Sequence, residues 1–211
     1  TAALHKLLPA QSPTSTTPSP PPITHRVYDI VDGDTYVIEN KILVRMFSID
    51  APELNQCGGP EAKEALKKLI LNKEVTLDTK IRDVYGRLTA TTFIGDTFID
   101  KEMLLEGFAR YYPHNYERKG ELIAADQLAR SKHLGIWSEK CTQTENKANP
   151  KCTIKGNFAP STQTKLYEFP GCNDYNRMIV QLHQGDQWFC SEQDASAAGF
   201  QKSRNCHDLK F

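Results

Sequence analysis

The sequence predicts an α+β protein: a closed β-barrel of five short strands carrying three helices, followed by a small, cysteine-containing α/β module. Three observations predict it. Five runs with β-type patterning, separated by charged or glycine-containing stretches, fall between residues 27 and 94. Segments with helical spacing follow the third and the fifth of these runs. Beyond Lys140 the composition turns polar, and five of the six cysteines follow.

In chain order, residues 1–23 contain QSPTSTTPSPPP, a Pro/Ser/Thr tract with almost no apolar residues. Such a tract cannot bury enough surface to fold alone and reads as a linker or tail. The barrel domain is expected over 24–140, with strands VYDIV, DTYVIE, ILVRMFSI, EVTLDTKI and LTATTFI. After the third comes GPEAKEALKKLILN, apolar at Ala62, Ala65, Leu66, Leu69 and Ile70, with Pro60 where a first helical turn accepts it. Two further helices are expected over Ile99–Arg110 and Gly120–Leu134, with Gly135 as the stop of the last. Five strands with a helix after the third is the order of an OB-fold, whose exposed face commonly binds oligonucleotides. Residues 141–152 (CTQTENKANPKC) read as a polar linker, with Cys141–Cys152 a candidate disulfide closing a short loop. Residues 153–211 read as an accessory module: a hairpin or two, then a helix from about Glu192 to Ala198.

A chain of 211 residues can bury one good core plus a small second one. No apolar run approaches the roughly 18 residues that a membrane helix needs. The first residue is Thr1 and no signal-peptide pattern is present, as in a mature or trimmed form. Net charge is zero, and residues 24–140 carry 17 Lys and Arg against 19 Asp and Glu. That balance argues against a protein that clamps nucleic acid through many phosphate contacts. A divalent cation supplying local positive charge suits a turnover enzyme better. Six cysteines without CxxC pairs favour disulfides and an extracytoplasmic setting, secreted or periplasmic. The competing reading is reduced, buried cysteines or a partial metal site.

The chemistry concentrates between Val27 and Glu53. Asp32-Gly33 between two β-runs is a hairpin signal, with a tight turn that needs positive φ. The run LVRMFSID is a buried-strand pattern with Arg45 inside it, and burying an unpaired charge is costly. Asp50 ends that strand before Ala51-Pro52, and Glu53 lies just past the proline. Carboxylates and a guanidinium at strand ends point to a metal and phosphate site.

Four motifs occur in order: D-G-D-T (Asp32–Thr35), R-x4-D-x-P-E (Arg45, Asp50, Pro52, Glu53), D-x-Y-G-R (Asp83, Tyr85, Gly86, Arg87) and G-I-W-S-E (Gly135–Glu139). Together they resemble the staphylococcal-nuclease (thermonuclease) family from about Thr24 to Lys140. The resemblance implies the OB-fold, one Ca²⁺ per site, and hydrolysis of DNA and RNA, single-stranded or fraying, to leave 3′-phosphates. It places Asp34 and Asp50 on the metal with the backbone carbonyl of Ala51, where the family type member has Thr. Asp32 becomes an outer carboxylate orienting a metal-bound water, alongside its turn role. Hard oxygen ligands suit Ca²⁺ or Mg²⁺. Glu53 is the expected general base or water-orienting group, and Arg45 and Arg87 the bidentate phosphate clamp. Tyr85, Tyr111 and Tyr112 are the aromatic candidates for stacking a base. The loops LNQCGG and YYPHNYERKG are shorter than the family's, which touches substrate range and not the chemistry.

The last segment, with Y-x-x-P-G-C-x-x-Y and then W-F-C-S-E, resembles a module appended to bacterial nucleases of this type. More distantly it resembles a four-cysteine zinc domain of DNA-repair proteins. Only Cys172 and Cys206 match that zinc pattern; Ser203 and Phe169 stand at other ligand positions, so zinc is not expected. Cys172–Cys190 is then the expected disulfide, with Cys57 and Cys206 the remaining candidates. His183 and His207 read as exposed polar residues. The module is either a stabilising cap or an accessory binder of nucleic acid or cell wall. Two functions compete: a monomeric phosphodiesterase, and a noncatalytic barrel that only binds nucleic acid. Asp34, Arg45, Asp50, Glu53 and Arg87 favour the first.

Overall fold

A computed structural model describes residues 22–206 and 211. Most of the Pro/Ser/Thr tract and His207 lie outside them. Strands β1 (Thr24–Ile30), β2 (Thr35–Ile38) and β3 (Ile42–Met46) form an antiparallel meander, followed by the short β4 (Ile49–Asp50). Helix α1 (Gly59–Ile70) leads to the β5 (Glu74–Arg82) and β6 (Leu88–Ile94) hairpin, then β7 (Thr97–Phe98), α2 (Ile99–Leu105) and β8 (Arg110–Tyr111). Helix α3 (Lys119–Ser131) ends this part. The sheet runs β3-β2-β1-β5-β6, and a parallel β3–β6 pairing closes it into a five-stranded barrel, the expected OB-fold.

The core explains the sequence pattern. Ala62, Leu66 and Ile70 recur four apart on α1 and are fully buried, beside Met103 and Leu104 of α2 and Val44 and Met46 of β3. Tyr36 is also buried, its hydroxyl 2.7 Å from Thr92 Oγ1, so the inward ring carries its polar end into a partner.

Four local expectations are corrected. Gly33 does not adopt positive φ. A β-carbon there would lie 2.6 Å from both the Ala51 and Ala62 β-carbons, so close packing demands the glycine. The third strand stops at Met46: Met46 N donates to Asp34 O and Phe47 N to Ala90 O, which peels the chain off to pair β4 with β8. Helix α2 stops five residues early, because Gly107 at φ +69° lets Phe108 N reach back to Met103 O. Helix α3 is stopped by His133 at φ +53°, with Leu134 N bonded to Ala129 O. Gly135 serves a packing need instead, since a β-carbon there would sit 2.1 Å from Gly107 O.

The C-terminal part follows with β9 (Thr142–Gln143), β10 (Ile154–Ala159), β11 (Thr164–Glu168), β12 (Val180–Gln181), β13 (Gln187–Phe189), α4 (Glu192–Ala197) and β14 (Gln201–Lys202). Its sheet runs β13-β10-β11-β14 over a separate core of Ile154, Tyr167, Phe169, Phe189 and Phe200. Ser191 caps α4 by accepting from Asp194 N at 3.1 Å.

Three disulfides are formed, with pairings other than those expected: Cys57–Cys141, Cys152–Cys190 and Cys172–Cys206. Strand register decides this. Ile154 faces Phe189, which carries Cys190 alongside Cys152. β9 pairs with β12, drawing the chain after Cys141 away from Cys152. Asn173 N bonds Asn205 O, which draws Cys172 to Cys206. His183 is also corrected: it is 3% exposed, with its ring edge-on to Trp137 at 5.0 Å. Among the described residues no helix is long and apolar enough to cross a membrane.

Candidate active site

Strand register assembles the site. Thr35 pairs with Arg45 across β2–β3, so Asp34, the residue before β2, lies beside that arginine. The parallel closure pairs Arg45 with Thr89, and Arg87, just before β6, borders the same cleft as Arg45. Asp50 of β4 pairs with Arg110 of β8. Four sequence-distant segments thus deliver their charges to one end of the barrel.

The Arg45 guanidinium holds both carboxylates. Its Nη1 donates to Asp34 Oδ1 and its Nη2 to Asp50 Oδ1, the latter at 2.6 Å. Asp34 is 2% exposed and also accepts from Thr35 Oγ1 at 2.9 Å and Ala51 N at 2.8 Å. Arg110 Nη2 donates to Asp50 Oδ2 at 2.6 Å. Asp32 Oδ1 accepts from Asp34 N at 3.0 Å, which makes it a brace for the turn. Burial pushes the Asp34 carboxyl up to about 7; Arg45 opposes this, and the neighbouring charge of Asp32 adds to it. Burial works against Arg45, yet Asp34 and Asp50 hold its pKa above the ordinary value.

Arg87 is fixed from its own turn. Asp83 accepts from Arg87 Nε at 2.7 Å and from the backbone N of Tyr85 and Arg87, while Gly86 takes φ +80°. A cleft of about 490 Å³ is bordered by Arg45, Asp50, Arg87, Tyr85 and Tyr112. Tyr85 is 81% exposed, with the Arg87 guanidinium 5.3 Å from its ring centre. Tyr111 goes elsewhere: it packs on the barrel core, and its N donates to Asp126. Glu53 is exposed and borders an adjoining pocket of about 240 Å³ with Asp50, Ala51 and Arg110. Its loop is pinned by Glu53 N to Gln56 Oε1 at 3.0 Å and by the Cys57–Cys141 bond. Gly59 admits the Glu53 carbonyl, which would sit 2.0 Å from a β-carbon.

A hard cation fits this donor set. Two carboxylate oxygens already converge on one positive group, and Asp34 is buried enough to need positive charge beside it. Among the described residues no three His, Cys, Asp or Glu side chains gather to hold a metal. A cation here would therefore rest on Asp34, Asp50, main-chain oxygen and water, oxygen donors that suit a hard divalent ion.

Sequence reasoning missed Arg110, hidden at the end of an expected helix. It missed His114, which stacks on Phe47 at 4.2 Å in the same cleft and whose pKa is lowered by burial and by Arg45. It missed Asp83 as the group that orients Arg87, although the D-x-Y-G-R spacing carried that signal.

Comparison with known proteins agrees with the fold. Residues 43–139 match the family described as Staphylococcal nuclease homologue, a span that begins after Asp34. An "Uncharacterized endonuclease" of Haemophilus influenzae is 35% identical over 120 residues, covering 55% of this chain and 67% of that protein. "Protein ParB" of Escherichia coli is 32% identical over 126 residues, covering 54% and 71%. The "Probable staphylococcal-like nuclease CAN4" of Oryza sativa subsp. japonica is 32% identical over 106 residues, half of this chain but 21% of that protein's length. By fold and by these relatives, the chain belongs to the staphylococcal nuclease family.

Proposed function

We propose that the protein is a Ca²⁺-dependent, sugar-nonspecific nuclease that hydrolyses phosphodiester bonds of DNA and RNA and leaves 3′-phosphates. The observation that carries the reading is the convergence of Asp34 and Asp50 on Arg45, in a cleft that Arg87 also borders. Bound Ca²⁺ would be held by Asp34, Asp50 and the Ala51 carbonyl, and would supply Lewis-acid charge to the phosphate. Arg45 and Arg87 hold the phosphate oxygens and meet the charge that grows on them during attack. Glu53, exposed at the adjoining pocket, orients the attacking water and takes up its proton. Arg110 keeps Asp50 turned toward Arg45. Tyr85 and Tyr112 offer ring faces to an unpaired base.

The three disulfides support an oxidising, extracytoplasmic setting, secreted or periplasmic. The chain is proposed to act as a monomer.

A fluorescent-oligonucleotide cleavage assay tests the reading. Cutting of DNA and RNA with Ca²⁺, abolished by EDTA, is expected. Binding without EDTA-sensitive cutting would leave a noncatalytic barrel.

A further inference from the structure

We infer that His183, carried in by the C-terminal module, is a positioning residue of the nuclease that holds the Glu53 carboxylate through a bridging water; this rests on the nuclease reading. His183 borders the pocket of about 240 Å³ that Glu53, Asp50 and Arg110 also border. It is 3% exposed, yet its Nε2 finds no hydrogen-bond partner among the described residues. Glu53 is in the matching condition. Its backbone N is bonded to Gln56 Oε1, but its carboxylate makes no hydrogen bond among the described residues. Two groups without partners thus border one small pocket, and a water there satisfies both.

The ring suits that task. Burial, with Arg110 and Arg130 nearby, pushes the imidazole down to about 4 against the pull of Asp50, so the ring is neutral. Either tautomer serves. A protonated Nε2 donates to the water oxygen, and a bare Nε2 accepts one of its hydrogens. The water's remaining hydrogen goes to the Glu53 carboxylate in both cases.

Packing does not account for a histidine here. Its edge-on contact with Trp137, at 5.0 Å, would be made as well by Phe. A buried nitrogen without a partner costs stability, whereas Phe carries no such atom. The ring is also held in a fixed relation to Glu53. Leu182 N donates to Cys141 O at 2.8 Å, and Gln181 N donates to Asp186 Oδ2 at 2.8 Å, which sets the short turn carrying His183. Cys141 is joined to Cys57, four residues after Glu53. One frame therefore carries both the histidine and the carboxylate it serves.

Steady-state cleavage of a fluorescent oligonucleotide by the full chain with Ca²⁺ separates positioning from packing. His183→Phe should lower kcat by about 10–100-fold and leave KM unchanged, with a urea midpoint equal to or above the parent's. His183→Leu is the second apolar variant and decides the matter if the Phe chain does not fold. His183→Gln, which keeps an amide to meet the water, should recover most of the lost rate. In the Glu53→Gln background, His183→Phe should cost nothing further, because the group it positions is already gone. Full kcat in the apolar variants, no recovery with Gln, or an equal loss in the Glu53→Gln background overturns the inference. A parent that does not cut sinks the nuclease reading itself; a parent that cuts with a kcat indifferent to residue 183 sinks only the role of His183.

Discussion

Arg45 carries the charge balance of the site. It faces a carboxylate that is 2% exposed and a second one opposite Arg110, so removing it strands a buried negative charge. Without metal, Arg45→Met should cost about 3–5 kcal/mol of stability, read by urea unfolding. A loss below about 1 kcal/mol would mean that Asp34 is satisfied by Thr35 and Ala51 alone. Glu53 is the opposite case. It is exposed, so Glu53→Gln should leave the unfolding midpoint unchanged while cutting falls by about 10²–10⁴-fold; near-normal rates would contradict its role. Asp100, fully buried beneath the barrel, gives a pH signature. Burial pushes its carboxyl up to about 7, against the hydrogen bond it accepts from Thr92 N. The folded chain thus keeps this proton to higher pH than the unfolded chain. The stability it contributes is full below about pH 4 and is lost as pH rises through about 7. Asp100→Asn should therefore gain on the parent between pH 5 and pH 8 in urea midpoints, and an equal difference at both would refute the assignment.

At the scale of elements, the site depends on approaches that only glycine allows. The Asp32–Thr35 turn lies on α1, where a β-carbon on Gly33 would meet Ala51 and Ala62. Gly33→Ala should cost about 1–3 kcal/mol and reduce cutting, because relief of the clash moves Asp34 or Ala51. A stable variant of full activity would show that the turn yields freely. The Cys57–Cys141 bond spans 84 residues and ties the Glu53 loop to the start of the C-terminal part. Cys57→Ser should lower stability by about 2–4 kcal/mol in guanidinium unfolding. A change within about 0.5 kcal/mol would mean that packing alone holds the loop.

At the scale of the whole molecule, the barrel was legible because its signals are local. Alternation marked the strands, four-residue spacing marked α1, and Asp34, Arg45, Asp50 and Arg87 were readable from ordered motifs. What failed was nonlocal. Helix α2 read as reaching Arg110 because nothing in a window of apolar spacing reveals a left-handed Gly107, and so Arg110 was lost as a partner of Asp50. The disulfides were mispaired because loop length speaks for Cys141–Cys152 while strand register, set by the fold, places Cys190 beside Cys152. His183 read as a polar surface residue because its burial comes from Trp137, a residue 46 positions away. Distant strands are proposed to build one cation-and-phosphate site. A crystal structure of the Glu53→Gln chain with Ca²⁺ and a single-stranded trinucleotide tests it most directly. The cation is expected on Asp34 and Asp50, with a phosphate between Arg45 and Arg87. A cation bound elsewhere, or a nucleotide whose phosphates avoid both arginines, would contradict it.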